Sequence, residues 1–314
     1  MANRTGALEQ PAAAGARAAS LWGDAWRRLI RNRLAVVGGV IVLILFFLLF
    51  FGPLIAPHPY QHQYLPELIA NDNRPIKPFT GQFLLGTDDL GRDLFSRLLD
   101  GAQISMTVAL VVQAVVLLIG LPIGAVAAWY GGRVDTYLMR ITDVVYAFPD
   151  LLFIILLSVT FRDTPIGEAL DGVLLVFVAI GLVAWVGMAR LVRGQLLSLK
   201  ETEFVEAARA IGVSDFRIIT RHLLPNALGP MIVAVTLGIP GAILAEATLA
   251  YLGIGAQPPR ASWGRLVFDG QAYMRSETHL VIFPALIIAL ALLSFTFLGD
   301  GLRDALDPKL KGKQ

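Results

Sequence analysis

The 314-residue sequence contains no cysteine. That excludes disulfides, thiolate metal sites and a cysteine nucleophile, and it leaves the redox compartment open. Charge is scarce too. Asp, Glu, Lys and Arg make up 16% of the chain, while 56% of it is hydrophobic. Soluble domains carry about 25% charged residues. So little polar surface cannot face water on all sides, and an integral membrane protein is expected. The formal net charge of +2 gives no reason to expect a nucleic-acid partner. Several chemical signatures are missing as well. No G-x-x-x-x-G-K-[ST] phosphate loop occurs, so ATP is not expected to bind this chain. Neither H-E-x-x-H nor G-x-S-x-G occurs, which argues against an intramembrane hydrolase.

What the chain has is long apolar runs. A membrane helix needs about 20 mostly apolar residues. Six stretches qualify: Leu34 to Ala56, about Ile104 to Tyr130, Tyr137 to Thr160, Val173 to Ala189, Ala227 to Leu252, and Leu280 to Leu298. The first starts too far into the chain, and is too long, for a cleaved signal peptide. With six spans both termini share a side. That side carries six basic residues before the first span, two in 131–140, six between spans four and five, and four after span six. The other side carries eight. The excess of Lys and Arg assigns both termini to the cytoplasm.

Residues 1–20 are Ala-rich and are expected to be a disordered cytoplasmic tail. Residues 21–33 place Leu21, Trp22, Ala25, Trp26 and Leu29 on one helical face beside four arginines, which suits an amphipathic helix in the interface. The remainder, 34–314, is one six-helix domain with outer loops at 57–103 and 253–279 and a cytoplasmic segment at 198–225.

That segment is polar, helix-favouring and long for a connector. Ser198 and Glu201 fit a capping box at a helix start. Phe204, Ala208 and Ile211 then fall on one face, with Ala207 and Ala208 small enough for close approach. Gly212 is a helix stop. Ser214 restarts a helix, with Val213 and Ile218 placed as a hydrophobic staple, and Pro225 ends or kinks it before span five. The expected product is a helix–Gly–helix elbow that docks a partner rather than a solvated connector.

"EAARAIG" followed by "LLP" resembles the E-A-A signature of permease subunits of ATP-binding-cassette importers, with Glu206, Ala207, Ala208, Gly212, Leu224 and Pro225 in matching spacing. His222 stands where the general pattern has isoleucine. "LLGTDDLGRDLFSRLLDGAQIS", "YLGIGAQPPRASWG" and "GDGLRDALDPKLK" are similar to the dipeptide, oligopeptide and nickel branch, C-subunit type. The resemblance covers most of the chain from about residue 25. It implies an all-α type I importer transmembrane domain in the bacterial inner membrane, enclosing half a pore. It implies four kinds of company: a second, B-type permease subunit, two cytoplasmic ATPase subunits that bind ATP and Mg, an extracytoplasmic solute-binding protein, and the lipid bilayer. The elbow, including Arg209, Arg217 and Arg221 at its rim, would fit a groove on the ATPase and switch the pore. This chain itself would be non-catalytic and hold no cofactor or metal. The expected solute is a dipeptide or short oligopeptide, with nickel or another small solute as the alternative.

Other residues invite a role. Intramembrane carboxylates are functional candidates. Asp143 and Asp150 are seven apart, on one face of a continuous span three, and Glu246 lies deep in span five. Asp150 and Glu246 are candidates to line the pathway. Asp143, near the cytoplasmic end, reads as an interhelix contact. Pro122, Pro149, Pro230, Pro240 and Pro284, with nearby glycines, suit kinks and close packing. His58 and His62 are four apart, but Pro59 and the lack of a third ligand argue against a metal. Before span two, Leu94, Phe95, Leu98 and Leu99 form one face and Arg92, Asp93, Arg97 and Asp100 the other, which reads as an amphipathic helix on the outer surface. That helix and the "GAQPPRASWG" loop could receive a solute-binding protein. Inverted repeats and midplane ion sites, the marks of an ion-coupled transporter, are not evident.

Overall fold

The computed structural model describes residues 21–161, 163–169 and 173–307; the expected tail at 1–20 lies outside them. In chain order the helices are α1 (Leu21–Arg31), α2 (Arg33–Ile55), α3 (Leu65–Ala70), α4 (Leu94–Tyr130), α5 (Gly132–Ala147), α6 (Asp150–Phe161), α7 (Pro165–Glu168), α8 (Val173–Lys200), α9 (Glu203–Ala210), α10 (Asp215–Ile218), α11 (Leu224–Tyr251), α12 (Trp263–Gly270) and α13 (His279–Leu306). A π turn, Ile219–Leu223, joins α10 to α11. Among the described residues no strand forms. Three isolated bridges, Gln63 with Arg92, Thr80 with Phe83 and Thr87 with Asp93, pin the outer loop.

Five helical stretches are long and apolar enough to cross a membrane, and six if α5 and α6 count as one bent span. That bend corrects the sequence expectation of a continuous span three. The two helices meet at 81°. Pro149 supplies no N–H and excludes the α conformation from Phe148, which is extended at φ −77°, ψ 137°. Twelve residues of α6 rise only about 18 Å, too short to cross alone.

The core is built around α4 and α8. They approach so closely because Gly124 has no side chain: a Cβ there would lie 2.4 Å from the Ala189 carbonyl. Such backbone proximity is how membrane helices associate where no hydrophobic drive exists between them. Helix α2 lies on α13, and α11 is flanked by α4, α8 and α13. Asn32 separates α1 from α2, and its side chain caps α2 by accepting from Ala35 N–H at 3.2 Å. Helix α1 rests against the end of α13, where the Arg28 guanidinium donates to the Asp307 carbonyl.

The outer end departs further from the sequence reading. The stretch before span two is not a separate surface helix. Residues from Leu94 onward are the first turns of α4, capped by Asp93, which accepts from Ser96 N–H at 2.9 Å. Its charged face is buried. Arg97 is 2% exposed and lies 3.2 Å from Asp88 and 3.7 Å from Asp269. Asp88 also binds Arg92 at 2.7 Å, Asp269 binds Arg265 at 2.8 Å, and Asp100 binds Arg260 at 2.9 Å. Trp263, wholly buried, donates from Nε1 to the Leu98 carbonyl. Periodicity revealed two faces correctly, but the polar one meets the two outer loops, not water. His58 and His62 flank an aromatic side chain. Both rings pack against Tyr64, whose hydroxyl is 2.7 Å from His58 Nδ1.

Candidate functional site: the inner elbow and the membrane cavity

Helix α8 does not stop where the sequence suggested. Ser198 is inside it, donating to the Gln195 carbonyl, so the Ser198/Glu201 capping box does not form. Thr202 takes the N-cap position of α9, with its hydroxyl donating back to the Leu199 carbonyl. Glu203 and Glu206 then place negative charge at the N-terminal turn, where the helix dipole favours it. Helix α9 turns Val205 and Ala208 into the bundle, not Phe204 and Ile211. Phe204 inside the helix and Ile211 at its C-cap are both exposed, so the buried stripe of this two-turn helix runs through Val205 and Ala208 instead.

The helix stop is a Schellman motif. Gly212, at φ +78°, donates to the Arg209 carbonyl, and Val213 donates to the Ala208 carbonyl at 3.1 Å. Val213 and Ile218 join the same apolar core on the far side of the turn. Ser214 occupies the next N-cap without a side-chain cap bond. From Asp215 the chain is helical through to Tyr251. Pro225 therefore does not end the second helix. It follows the π turn, in which Leu224 N–H reaches back to the Ile219 carbonyl, and the widened turn accommodates a residue with no donor. His222 lies in that turn, and its carbonyl accepts from the Asn226 side chain at 2.6 Å.

The elbow's outward tip is apolar. Ile211 is 80% exposed and Phe216 76%. Glu206, Ala207 and Arg209 are exposed, Ala208 and Leu223 are buried, and Leu224 is partly so. Arg209 does not simply extend outward. Its guanidinium lies 4.6 Å from the centre of the Trp129 ring at the end of α4. The Lys200 ammonium lies over the same ring at 5.7 Å and donates to the carbonyls of Ala128 and Trp129 at 3.2 and 2.5 Å. Neither Trp129 nor Lys200 was singled out by sequence reasoning. They are 71 positions apart, and no local spacing signals such a contact.

Between the helices lies a cavity of about 390 Å³. Gln113 from α4, Asp150 from α6, Met188 from α8 and Gly238 and Gly241 from α11 line it. Glu246 does not. It is buried in α11 and accepts from Ser105 Oγ at 3.1 Å, while the same Ser105 oxygen accepts from Trp263 N–H. Asp143 is also outside the cavity: the bend at Pro149 takes it off Asp150's face, and it binds Arg190 of α8 at 2.7 Å. Arg193 makes a second, two-pronged pair with Asp135. Among the described residues no group of three His, Asp or Glu could hold a metal.

A family model described as "Binding-protein-dependent transport system inner membrane component" matches residues 120–312, and one described as "N-terminal TM domain of oligopeptide transport permease C" matches residues 20–75. The chain is 44% identical to "Dipeptide transport system permease protein DppC" of Bacillus subtilis, over 92% of this chain and 86% of that one. It is 41% identical to "Oligopeptide transport system permease protein OppC" of Haemophilus influenzae, over 92% and 89%. It is 37% identical to "Glutathione transport system permease protein GsiD" of Pectobacterium atrosepticum, over 92% of each. A solved structure titled "Inward facing conformations of the MetNI methionine ABC transporter" shares the fold, with a TM-score of 0.54 at 19% identity over 67% of this chain and 96% of that one.

Proposed function

The chain belongs to the inner membrane components of binding-protein-dependent transport systems, as a C-type peptide permease subunit of the bacterial inner membrane, and from that membership we propose how it works. It supplies half of a solute pathway, and the elbow of α9 and α10 receives a cytoplasmic ATPase. The observation that carries this is the elbow's tip: Ile211, just past α9, and Phe216, in α10, stand 80% and 76% exposed on either side of the Gly212 turn. Two large apolar side chains facing water on the side rich in Lys and Arg call for a cover. Glu206 and Ala207, exposed beside the tip, belong to this docking face, while Ala208, Gly212, Leu224 and Pro225 shape the elbow behind it and Arg209 lies over Trp129.

No phosphate loop occurs in the chain, so ATP and Mg belong to the ATPase subunits. A second permease completes the pore, and an extracytoplasmic binding protein delivers the solute. That solute is a dipeptide or short oligopeptide. Asp150, the carboxylate on the cavity wall, meets its ammonium end, and the apolar remainder of the cavity accepts varied side chains. Glu246 serves instead as an interhelix tie between α4 and α11.

The test is to replace Ile211 and Phe216 with aspartate and purify the assembled complex. Loss of the ATPase from the complex, with the permease still in the membrane, is expected. Retention of the ATPase and normal uptake would refute the docking surface. For the solute, Asp150→Asn should weaken uptake of peptides with a free amino terminus more than that of N-acetylated ones. Equal effects would remove Asp150 from recognition.

A further inference from the structure

We propose that the Trp129 ring is the joint through which movement of the elbow enters the helix bundle, with Arg209 and Lys200 as positioning residues that hold it. The proposal rests on the elbow being the docking element.

Three features converge on this side chain. First, Trp129 is 6% exposed although it sits in the last turn of α4, at the surface where the chain turns. It joins the apolar core, and its ring face is covered by cations. Arg209, from the last turn of α9, lies over the ring at 4.6 Å, within the range of a cation–π contact. Second, Lys200, the last residue of α8, binds the terminal carbonyls of α4 at Ala128 and Trp129 while its ammonium also faces the ring. Helix C-termini leave such carbonyls without intrahelical donors and favour positive charge. One lysine thus fixes the end of α8 to the end of α4, and the arginine of the elbow rests on the surface between them. Third, α4 is continuous for 37 residues, about 55 Å. Its far end carries Arg97 and Asp100, which are held by Asp88, Asp269 and Arg260 of the two outer loops.

The consequence is mechanical. Helix α9 buries Val205 and Ala208 in the core and adds the Arg209 contact across to the end of α4. When the elbow is displaced, Arg209 pushes or pulls on Trp129. Trp129 is part of a helix that runs unbroken, Pro122 included, to the outer loops, and Lys200 ties the end of α8 to it. Rigid helices that move as bodies are an established way for a local displacement to act at a distance. Arg209 is therefore assigned to the permease's own internal linkage, and its effect on the ATPase passes through Trp129.

The experiment uses the whole transporter, with its ATPases, second permease and binding protein, in proteoliposomes. ATP hydrolysis and uptake are measured together, and the readout is solute moved per ATP hydrolysed. Trp129→Leu keeps an apolar side chain and removes the aromatic face. Arg209→Gln removes the cation. Each is expected to lower the ratio by about fivefold or more, the scale of a typical coupling between sites. Trp129→Phe and Arg209→Lys, which keep the face and the charge, should recover most of it. The double variant should be no worse than either single one, because both remove the same contact. Additive losses, or an unchanged ratio in Trp129→Leu, overturn the proposal. If Trp129→Leu does not assemble, the Arg209→Gln and Arg209→Lys pair decides, since Arg209 is exposed and its replacement leaves the core intact. A complex that contains no ATPase at all sinks the docking reading itself, whereas a complex that holds its ATPase and couples normally sinks only the joint.

Discussion

Replacing Arg97 with methionine tests the buried charge cluster at the outer end of α4. The side chain is 2% exposed and approaches two carboxylates, Asp88 and Asp269. It also donates to the Pro259 carbonyl at 3.4 Å. Methionine fills much of the volume and removes the charge. Breaking a buried pair by removing one partner destabilises by about 3–5 kcal/mol, because the remaining charge is left buried. Here each carboxylate keeps one other partner, Arg92 for Asp88 and Arg265 for Asp269. That places the expected loss at the low end, about 3 kcal/mol. The loss falls on the contact between α4 and the outer loops, so it reads out as easier local opening. When opening and closing are fast, cleavage by a protease tracks the open population. A 3 kcal/mol change then raises the cleavage rate of the outer loops by about a hundredfold, at 1.4 kcal/mol per tenfold. A chymotryptic protease avoids confusion with the lost arginine. The exposed Arg275, replaced in the same way, is the control and should shift cleavage about twofold or less. If Arg97→Met changes the rate no more than this control, the cluster does not hold the loops to the helix.

Other outcomes are expected from the same structure. Gly124→Val should abolish a stable, monodisperse permease in detergent, because a Cβ there would meet the Ala189 carbonyl at 2.4 Å and no small shift relieves backbone against backbone. Gly212→Val forces a β-branched residue to φ +78° and should misdirect the elbow, seen as reduced ATPase in the purified complex while the permease itself still inserts. Asp89 titrates above the usual aspartate range, chiefly through burial and further through Asp88 and Asp269. A raised carboxylate pKa means the folded state binds the proton more tightly, so stability falls as pH rises from the ordinary aspartate range through the raised value. Asp89→Asn should therefore raise the melting temperature at neutral pH, and the gain should vanish below the ordinary aspartate range.

The spans were legible because about 20 apolar residues are needed to cross a bilayer, and that signal is local. The elbow was legible in outline for the same reason: Gly212 and the small residues before it act within one turn. What the sequence could not show were matters of partnership. The polar face of residues 92–100 has the pattern of a surface helix, and only the arrival of Asp88, Arg260 and Asp269 makes it an interior. Ser198 and Thr202 both suit an N-cap; the choice depends on how far α8 runs, and its last residue, Lys200, meets the end of α4, 71 positions away. Glu246 and Asp150 looked alike as intramembrane carboxylates. Packing separates them, because Ser105 and the start of α12 close over one, while the bend at Pro149 turns the other toward the cavity.

The outer charge cluster also imposes an order on synthesis. Arg97 and Asp269 are 172 positions apart, counting from 97 to 269. At roughly 5–20 residues per second, the ribosome makes the second about 9 to 34 seconds after the first. Through that interval α4 is already long enough to insert, with Asp88 and Asp100 of the same segment beside its arginine but Asp269 and Arg260 not yet made. The nascent chain must therefore carry this helix end without two of its partners until the last outer loop emerges. The last outer loop, in this sense, sets the moment at which the second span becomes final.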